Sequence, residues 1–293
     1  MLKTFIIIGG DLRFVSLAEY LAEKSRVYAI GFDKNILTSS KINVIDNITS
    51  ISERFDYVIL PLPASNDGVL INTPYCKQSI PLELITSIIK EDGVIFAGRL
   101  SKEIIDMYLS RGLHVYDYAE REEFAVMNAV ATAEGAIQIA MEELPTTLFR
   151  QKILITGMGR ISKVLIKVLK GFETDITVVS RKYQDIAWGN ILGCRSIHIN
   201  SIDDDIEKYN IVFNTVPAVI LNEKRLKKLN KNCLVIDLAS KPGGVDFDTA
   251  SRLGVRTIWA LSLPGKVAPI TSGHIIASTV INILTERGDF NEL

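Results

Sequence analysis

Along the first third of the chain, short apolar runs alternate with stretches of helical periodicity. Residues 5–8, 27–31, 57–60 and 93–97 read as buried strands, and 113–116 as a further short one. Helices are expected over 12–23, 82–90 and 102–111. Strands that lack polar alternation and are separated by helices indicate βαβ units and a parallel sheet covered on both faces. Residues 119–143 form one long helical stretch that stops before Pro145, with a charged start at Glu120–Glu123 and an apolar body (Phe124, Met127, Val130, Ile137, Met141). Gly135 inside it costs about 1 kcal/mol relative to Ala and suggests a bend or a close approach. The alternation then restarts, with strands expected over 152–156, 175–179, 211–214, 234–237 and 256–260, and helices over 161–169, 185–192 and 273–284.

This pattern predicts an α/β protein of two doubly wound, Rossmann-like domains with parallel sheets, joined by a long bridging helix. The expected limits are 1–118 for a substrate-side domain, 119–145 for the bridge, 146–272 for a dinucleotide-binding domain, and 273–293 for a terminal helix able to pack back on the first domain. A length of 293 residues suits two such cores.

The most informative motif is Gly157-Met158-Gly159-Arg160-Ile161-Ser162, which follows one strand and opens a helix. The first glycine permits the tight turn and the second lets backbone approach a pyrophosphate held by the helix N-terminus. Ser162 stands at the third glycine position and is still small enough for close helix–strand packing. At the end of the next strand, where an NAD-specific domain usually places an acid for the ribose 2′-hydroxyl, the sequence reads Ser180-Arg181-Lys182. Arg181 can grip a 2′-phosphate with two hydrogen bonds and Lys182 adds charge, so the expected cofactor is NADP. A solvated basic turn is the plain alternative. Asn214-Thr215-Val216-Pro217 and Asp237-Leu238-Ala239-Ser240-Lys241-Pro242-Gly243-Gly244 are further strand exits on the ligand edge, and Leu263-Pro264-Gly265-Lys266-Val267-Ala268-Pro269 is placed to cover the nicotinamide. Thr215, Val216, Pro217, Ala239 and Pro264 join the cofactor set on these grounds.

The first half has a candidate of its own, Gly9-Gly10-Asp11 with Asp33 after the second strand. It lacks the Gly-x-Gly spacing, and Asp11 would face the pyrophosphate, so this half reads as the substrate wall instead.

Composition narrows the partners. The formal net charge is -1 with no clustered Lys and Arg, whereas nucleic-acid binding needs a basic footprint. Three scattered cysteines make neither a disulfide framework nor a metal site and fit a reducing cytoplasm. The apolar run at residues 5–8 is too short for a secretory leader, and no stretch approaches the roughly 18 to 20 apolar residues of a membrane span.

Beyond these motifs the chain resembles the A subunits of dipicolinate synthase from spore-forming bacteria. The segments carrying the likeness are Ile8-Gly9-Gly10-Asp11-Leu12-Arg13, Gly31-Phe32-Asp33, Ile59-Leu60-Pro61, Thr132-Ala133-Glu134-Gly135, Gly157-Met158-Gly159-Arg160, and the three strand exits beginning at Asn214, Asp237 and Leu263. Ala131 stands where the family pattern has Pro, and Lys241 where it has Arg. The resemblance implies oxidation of a dihydro- or hydroxytetrahydro-pyridine-2,6-dicarboxylate to dipicolinate in the sporulating mother cell, with NADP as acceptor. It also implies a partner, the B subunit, in a homo- or hetero-oligomer.

A dicarboxylate substrate calls for cations and hydroxyls at both ends. Arg13, Arg99, Lys241 and Lys266, with Ser65, Thr132 and Ser240, are the candidates at strand exits and on the bridge. For proton transfer the candidates are Glu134, on the bridging helix where it can face a cleft between domains, and His274, at the expected start of the last helix, where the helix N-terminus disfavours an imidazolium. A polar helix face and a capping or packing histidine are their plain alternatives. Lys241 completes the catalytic set, and no metal is expected. Two other readings stay open at this stage. One is a shikimate- or methylene-folate-type dehydrogenase, although Asp33 and Lys34, adjacent after a strand, do not form its Lys–Asp arrangement. The other is a non-catalytic nucleotide-binding component of a two-chain synthase.

Overall fold

The computed structural model describes residues 3–33 and 35–289; Lys34, named above beside Asp33, lies outside the described residues. The chain divides into two compact units, residues 1–128 with 268–293, and residues 129–267.

Chain order begins with β1 (Thr4–Ile8), α1 (Leu12–Ala22), β2 (Arg26–Ile30), β3 (Ile42–Val44), β4 (Phe55–Ile59), α2 (Ile85–Ile88), β5 (Ile89–Ala97), α3 (Lys102–Leu109), β6 (His114–Asp117) and α4 (Glu122–Glu143). It continues with β7 (Lys152–Thr156), α5 (Arg160–Leu169), β8 (Asp175–Ser180), α6 (Tyr183–Ile191), β9 (Arg195–His198), β10 (Ile211–Asn214), α7 (Glu223–Leu226), β11 (Leu234–Asp237), α8 (Phe247–Leu253), β12 (Arg256–Trp259), α9 (Leu263–Val267) and α10 (Pro269–Glu286).

Each unit holds one parallel six-stranded sheet, ordered β3-β2-β1-β4-β5-β6 in the first and β12-β11-β10-β7-β8-β9 in the second. Counted from each unit's own first strand, the two orders are the same doubly wound Rossmann order, reversing direction next to the first strand. Buried strand residues fill both faces of each sheet. In the first unit Phe5 and Ile7 pack with α1 and α10 residues such as Leu17 and Ile276, while Ile6 and Ile8 face the opposite cluster with Ile85 and Tyr108. In the second, Ile153 and Ile155 pack with α5, and Leu154 packs with Leu226 and Ala250 of α7 and α8. The two-domain α/β expectation therefore holds.

Several elements differ from their sequence reading. Residues 82–90 form a 3₁₀ turn and the single turn α2, and the chain enters β5 already at Ile89. The β-branched run Ile85-Thr86, Ile88-Ile89 favours extended backbone over a longer helix. The short strands β3 and β9 escaped the pattern because each is an edge strand with mixed polar character. The last helix begins at Pro269 rather than Gly273, with proline at its first position. His274 consequently lies in the second turn, exposed on the helix surface and 4.9 Å from the Tyr20 ring centroid. The helix N-terminus therefore does not govern its charge.

The expectation of no span-length apolar stretch also needs correction. By length and composition α4, with 22 residues and a mean hydropathy of 1.3 over its most apolar window, is long and apolar enough to cross a membrane. Half of that window is buried within the protein. Phe124 joins a core cluster of the first unit, and Ala133, Ala136, Ile137 and Ala140 join one in the second.

Candidate functional site

The switch point of the second sheet lies between β7 and β10, where strand order reverses and ligands bind beyond the carboxyl ends. Gly157 leaves β7 at φ 87°, a left-handed conformation that glycine adopts without penalty, while its N–H donates to Val179 O at 2.8 Å. A Cβ at Gly157 would lie 2.8 Å from Thr215 Oγ1 and 2.9 Å from Val216 Cγ2. Gly159 then caps α5 in extended backbone and, having no side chain, makes no cap hydrogen bond to the first-turn amides. A Cβ at Gly159 would meet no protein atom within 4 Å. The missing side chain therefore leaves open space directly before a helix N-terminus, the arrangement that receives an anion.

Ser162, in the third motif position, is fully buried, and its Oγ lies 3.0 Å from Thr215 Oγ1. Thr215 spends its single hydroxyl proton on Thr156 O at 2.7 Å, so Ser162 is the donor of that pair. Serine here gives close packing and also ties the α5 start to the β10 exit.

A buried polar chain underlies the same edge. Asn214 pairs in register with Thr156 on β7 and with Asp237 on β11, and all three are at most 1% exposed. Asn214 Oδ1 accepts from the Thr156 hydroxyl and from Val216 N, and its Nδ2 donates to Val216 O at 3.0 Å and to Asp237 Oδ1 at 2.7 Å. Asp237 also accepts from Ala239 N at 3.0 Å and Gly244 N at 2.7 Å. A buried carboxylate is tolerated when N–H donors surround it. Here it fixes the orientation of the Asn214 amide, and through it the Thr215–Val216 turn. The signal in the sequence was two polar residues ending otherwise apolar strands at matching register.

These exits surround an open cavity of about 220 Å³. Of the residues singled out for cofactor binding, Gly157, Met158, Gly159, Ser180, Arg181, Lys182, Thr215, Val216 and Pro217 line it. Arg160 and Ile161 form the first turn of α5 outside the lining, Ala239 lies buried under the β11 exit accepting from Trp259 Nε1 at 3.0 Å, and Pro264 is buried in α9. The segment at 263–269, read as a covering loop, is largely the helix α9. Sequence reasoning missed Asp185, which lines the cavity and accepts from Ser180 Oγ at 2.8 Å. Its signal was an acid in the first turn of the helix after β8.

Among the described residues, the side chains of Arg181 and Lys182 form no hydrogen bond or ion pair, and both residues are exposed. The Arg181 carbonyl accepts from His198 Nε2 at 3.2 Å, and the His198 ring stacks on Tyr183 with centroids 5.6 Å apart. The turn backbone is thereby held while its two cations stay available.

The substrate and proton-transfer candidates are divided between the units. In the first, Arg13 is 8% exposed and its guanidinium is engaged by Asp11, at 2.8 and 2.9 Å, and by Leu62 O at 2.9 Å. Ser65 is tied into a local turn with Asp67 and Gly68, and Arg99 is exposed at φ 58°, its N–H donating to Asp117. In the second, Ser240, Lys241 and Lys266 are exposed around the carboxyl edge of the sheet, Thr132 is buried in α4, and Glu134 is exposed on the same helix. Burial pushes the Cys233 thiol up to about 12 and raises that of Cys194, which removes both as nucleophiles. No group of acids, histidines and cysteines among the described residues is arranged to hold a metal ion.

The first unit repeats the topology with its βα turn covered. Its βα turn is crossed by residues 72–75: Gly10 N donates to Asn72 O at 3.0 Å, Asp33 N donates to Tyr75 O at 2.9 Å, and a Cβ at Gly9 would lie 2.8 Å from Asn72 O. Asp11 itself caps α1, placing a carboxylate where a pyrophosphate would need free amides.

Comparison with known proteins fits this geometry. Residues 4–119 match the family described as the N-terminal domain of the dipicolinate synthase A subunit, and residues 126–241 match the D-isomer specific 2-hydroxyacid dehydrogenase, NAD binding domain. The chain is 27% identical to the dipicolinate synthase A subunit of Bacillus subtilis (strain 168), covering 96% of this chain and 95% of that protein. The crystal structure of the dipicolinate synthase A subunit from Bacillus halodurans superposes with a TM-score of 0.88 at 26% identity, over 96% of this chain and 97% of the other. The crystal structure of its Bacillus subtilis counterpart gives 0.88 at 25% identity, over 99% and 98%. The likeness read from the sequence thus runs the length of the chain, and its second unit carries a dinucleotide-binding domain of dehydrogenase type.

Proposed function

We propose that this chain, alike in sequence and fold to dipicolinate synthase A subunits, is the NADP-linked component of such an enzyme. It would oxidise dihydrodipicolinate to dipicolinate, with dehydration of the hydroxytetrahydro precursor, in the cytoplasm of a sporulating mother cell and alongside a B subunit. The observation carrying the cofactor part is the Gly157–Gly159 cradle with two unpaired cations, Arg181 and Lys182, at the end of the adjacent strand. Bound NADP supplies the hydride acceptor for the ring carbon.

The chain's own groups bind and orient. The α5 N-terminus faces the pyrophosphate, Arg181 and Lys182 meet the 2′-phosphate, and the Asn214–Asp237 pair holds the Thr215–Pro217 turn against the cavity. Ser240, Lys241 and Lys266 stand exposed at the same sheet edge as donors for a carboxylate, with Thr132 of the same unit as a further substrate contact. Arg13, already engaged by Asp11 and Leu62, acts by shaping the β4 exit. Glu134, exposed on α4 in the same unit, receives the proton lost on oxidation, and because aromatisation makes the step downhill a weak base suffices.

Calorimetric titration of the purified chain with NADP and NAD tests the cofactor assignment, followed by assay of dipicolinate formation with and without the B subunit. Tighter NADP binding, and an Arg181→Asp variant that loses NADP affinity more than NAD affinity, are the expected results. No binding of either dinucleotide overturns the reading.

A further inference from the structure

The β8–α6 turn carries a charge that the NADP assignment does not use. Asp185 lies in the first turn of α6, on the wall shared by Ser180, Arg181 and Lys182. Ser180 is 7% exposed, and its hydroxyl donates to Asp185 Oδ2 at 2.8 Å. The hydroxyl therefore fixes a carboxylate beside the end of β8, the place from which Rossmann domains ordinarily present an acid to the ribose. In this chain the acid comes five residues later and is brought back by the helix turn. Among the described residues the hydrogen bond to the Asp185 carboxylate comes from Ser180 to Oδ2, so no group donates to Oδ1, and neither Arg181 nor Lys182 pairs with it. One end of the cavity thus holds two unpaired cations and a carboxylate with an open oxygen.

We propose that Asp185 is the residue that sets the preference between NAD and NADP, and that the site admits both. Its carboxylate is an acceptor for the ribose 2′-hydroxyl of NAD, while Arg181 and Lys182 neutralise the 2′-phosphate of NADP against repulsion from the same carboxylate. This inference rests on the dinucleotide reading of the cavity. An Asp185 that merely closed the turn and complemented the helix N-terminus would treat the two dinucleotides alike.

Asp185→Asn separates these roles, since the amide oxygen still accepts from Ser180 while the charge is gone. Binding of NADP and of NAD to wild type and variant is measured by calorimetric titration. The expected result is NADP affinity higher by about tenfold, as removal of one like charge at close range implies, with NAD affinity unchanged or lower. Asp185→Ala, which also removes the acceptor, is expected to move the ratio in the same direction. A wild type that binds neither dinucleotide overturns the cavity reading, and this inference with it. A wild type that binds NADP, with a ratio that stays constant in both variants, leaves the cavity reading standing and overturns the role of Asp185.

Discussion

At the scale of single residues, the two motif glycines do different work, and substitution separates them. Gly157 needs its positive φ and has Thr215 and Val216 within 3 Å of a prospective Cβ. Gly157→Ala is expected to destabilise the second unit by about 2 kcal/mol, from left-handed backbone strain together with the clash. Gly159 has ordinary extended backbone and open space where its Cβ would point. Gly159→Ala is expected to cost no more than about 1 kcal/mol as a weaker helix cap, yet to weaken dinucleotide binding by at least about tenfold. Urea unfolding and calorimetric titration of both variants check this, and a Gly159→Ala protein that binds as wild type removes the pyrophosphate cradle. The spacing of these glycines was legible because strand, turn and helix are local. Asp185 was not, since its carboxylate reaches the β8 end only through the first turn of α6. Nor was the second tie of Arg13, which beyond its local partner Asp11 donates to Leu62 O, 49 residues away.

At the scale of elements, helices and strands with strong period were readable, and their ends were not. The last helix was read from Gly273, but the structure starts it at Pro269 and uses that glycine for contact. A Cβ on Gly273 would lie 2.3 Å from Arg13 O and 3.0 Å from Leu17 N, so α10 crosses α1 with backbone against backbone. That contact joins two segments about 260 residues apart in sequence and is invisible to local pattern. Gly273→Ala must push the helices apart, and a loss of about 1–3 kcal/mol is expected, the usual cost of overpacking. A lower urea midpoint with unchanged dinucleotide affinity would place the damage in the first unit. An unchanged midpoint would mean that the α1–α10 contact can relax freely.

At the scale of the molecule, the carboxylates give a direction to acid stability. Lys224 and Arg225 beside Asp203, the Thr249 amide on Asp246 and Arg121 beside Glu286 hold these groups below their ordinary values of 3.8, 3.8 and 4.5. A depressed folded-state value contributes stability above the unfolded value, lost as pH falls through the folded one. Asp117, raised by burial, works the opposite way. The unfolding midpoint is therefore expected to hold from neutral pH to about 5 and to fall below about 4, a course followed by urea titrations at pH 7, 5 and 3.

The same topology appears twice along the chain, so fold alone predicts two nucleotide sites, and the difference lies in what covers each switch point. In the second unit the helix after the first strand is capped by a glycine, which brings no side chain of its own to the amides. In the first, Asp11 caps the corresponding helix and is itself paired with Arg13, while the segment at 72–75 hydrogen-bonds across the turn. A pyrophosphate there would have to displace that segment and approach a carboxylate fixed on the helix axis, where like charges repel. The sequence hinted at this through Asp11 and the missing glycine spacing, but the covering segment comes from a stretch whose course no periodicity reveals. Saturation of the chain with NADP should therefore reach about one equivalent per chain, with a single heat transition in calorimetry. A second equivalent of comparable affinity would show that residues 72–75 yield readily, and that the two sheets are alike in use as well as in strand order.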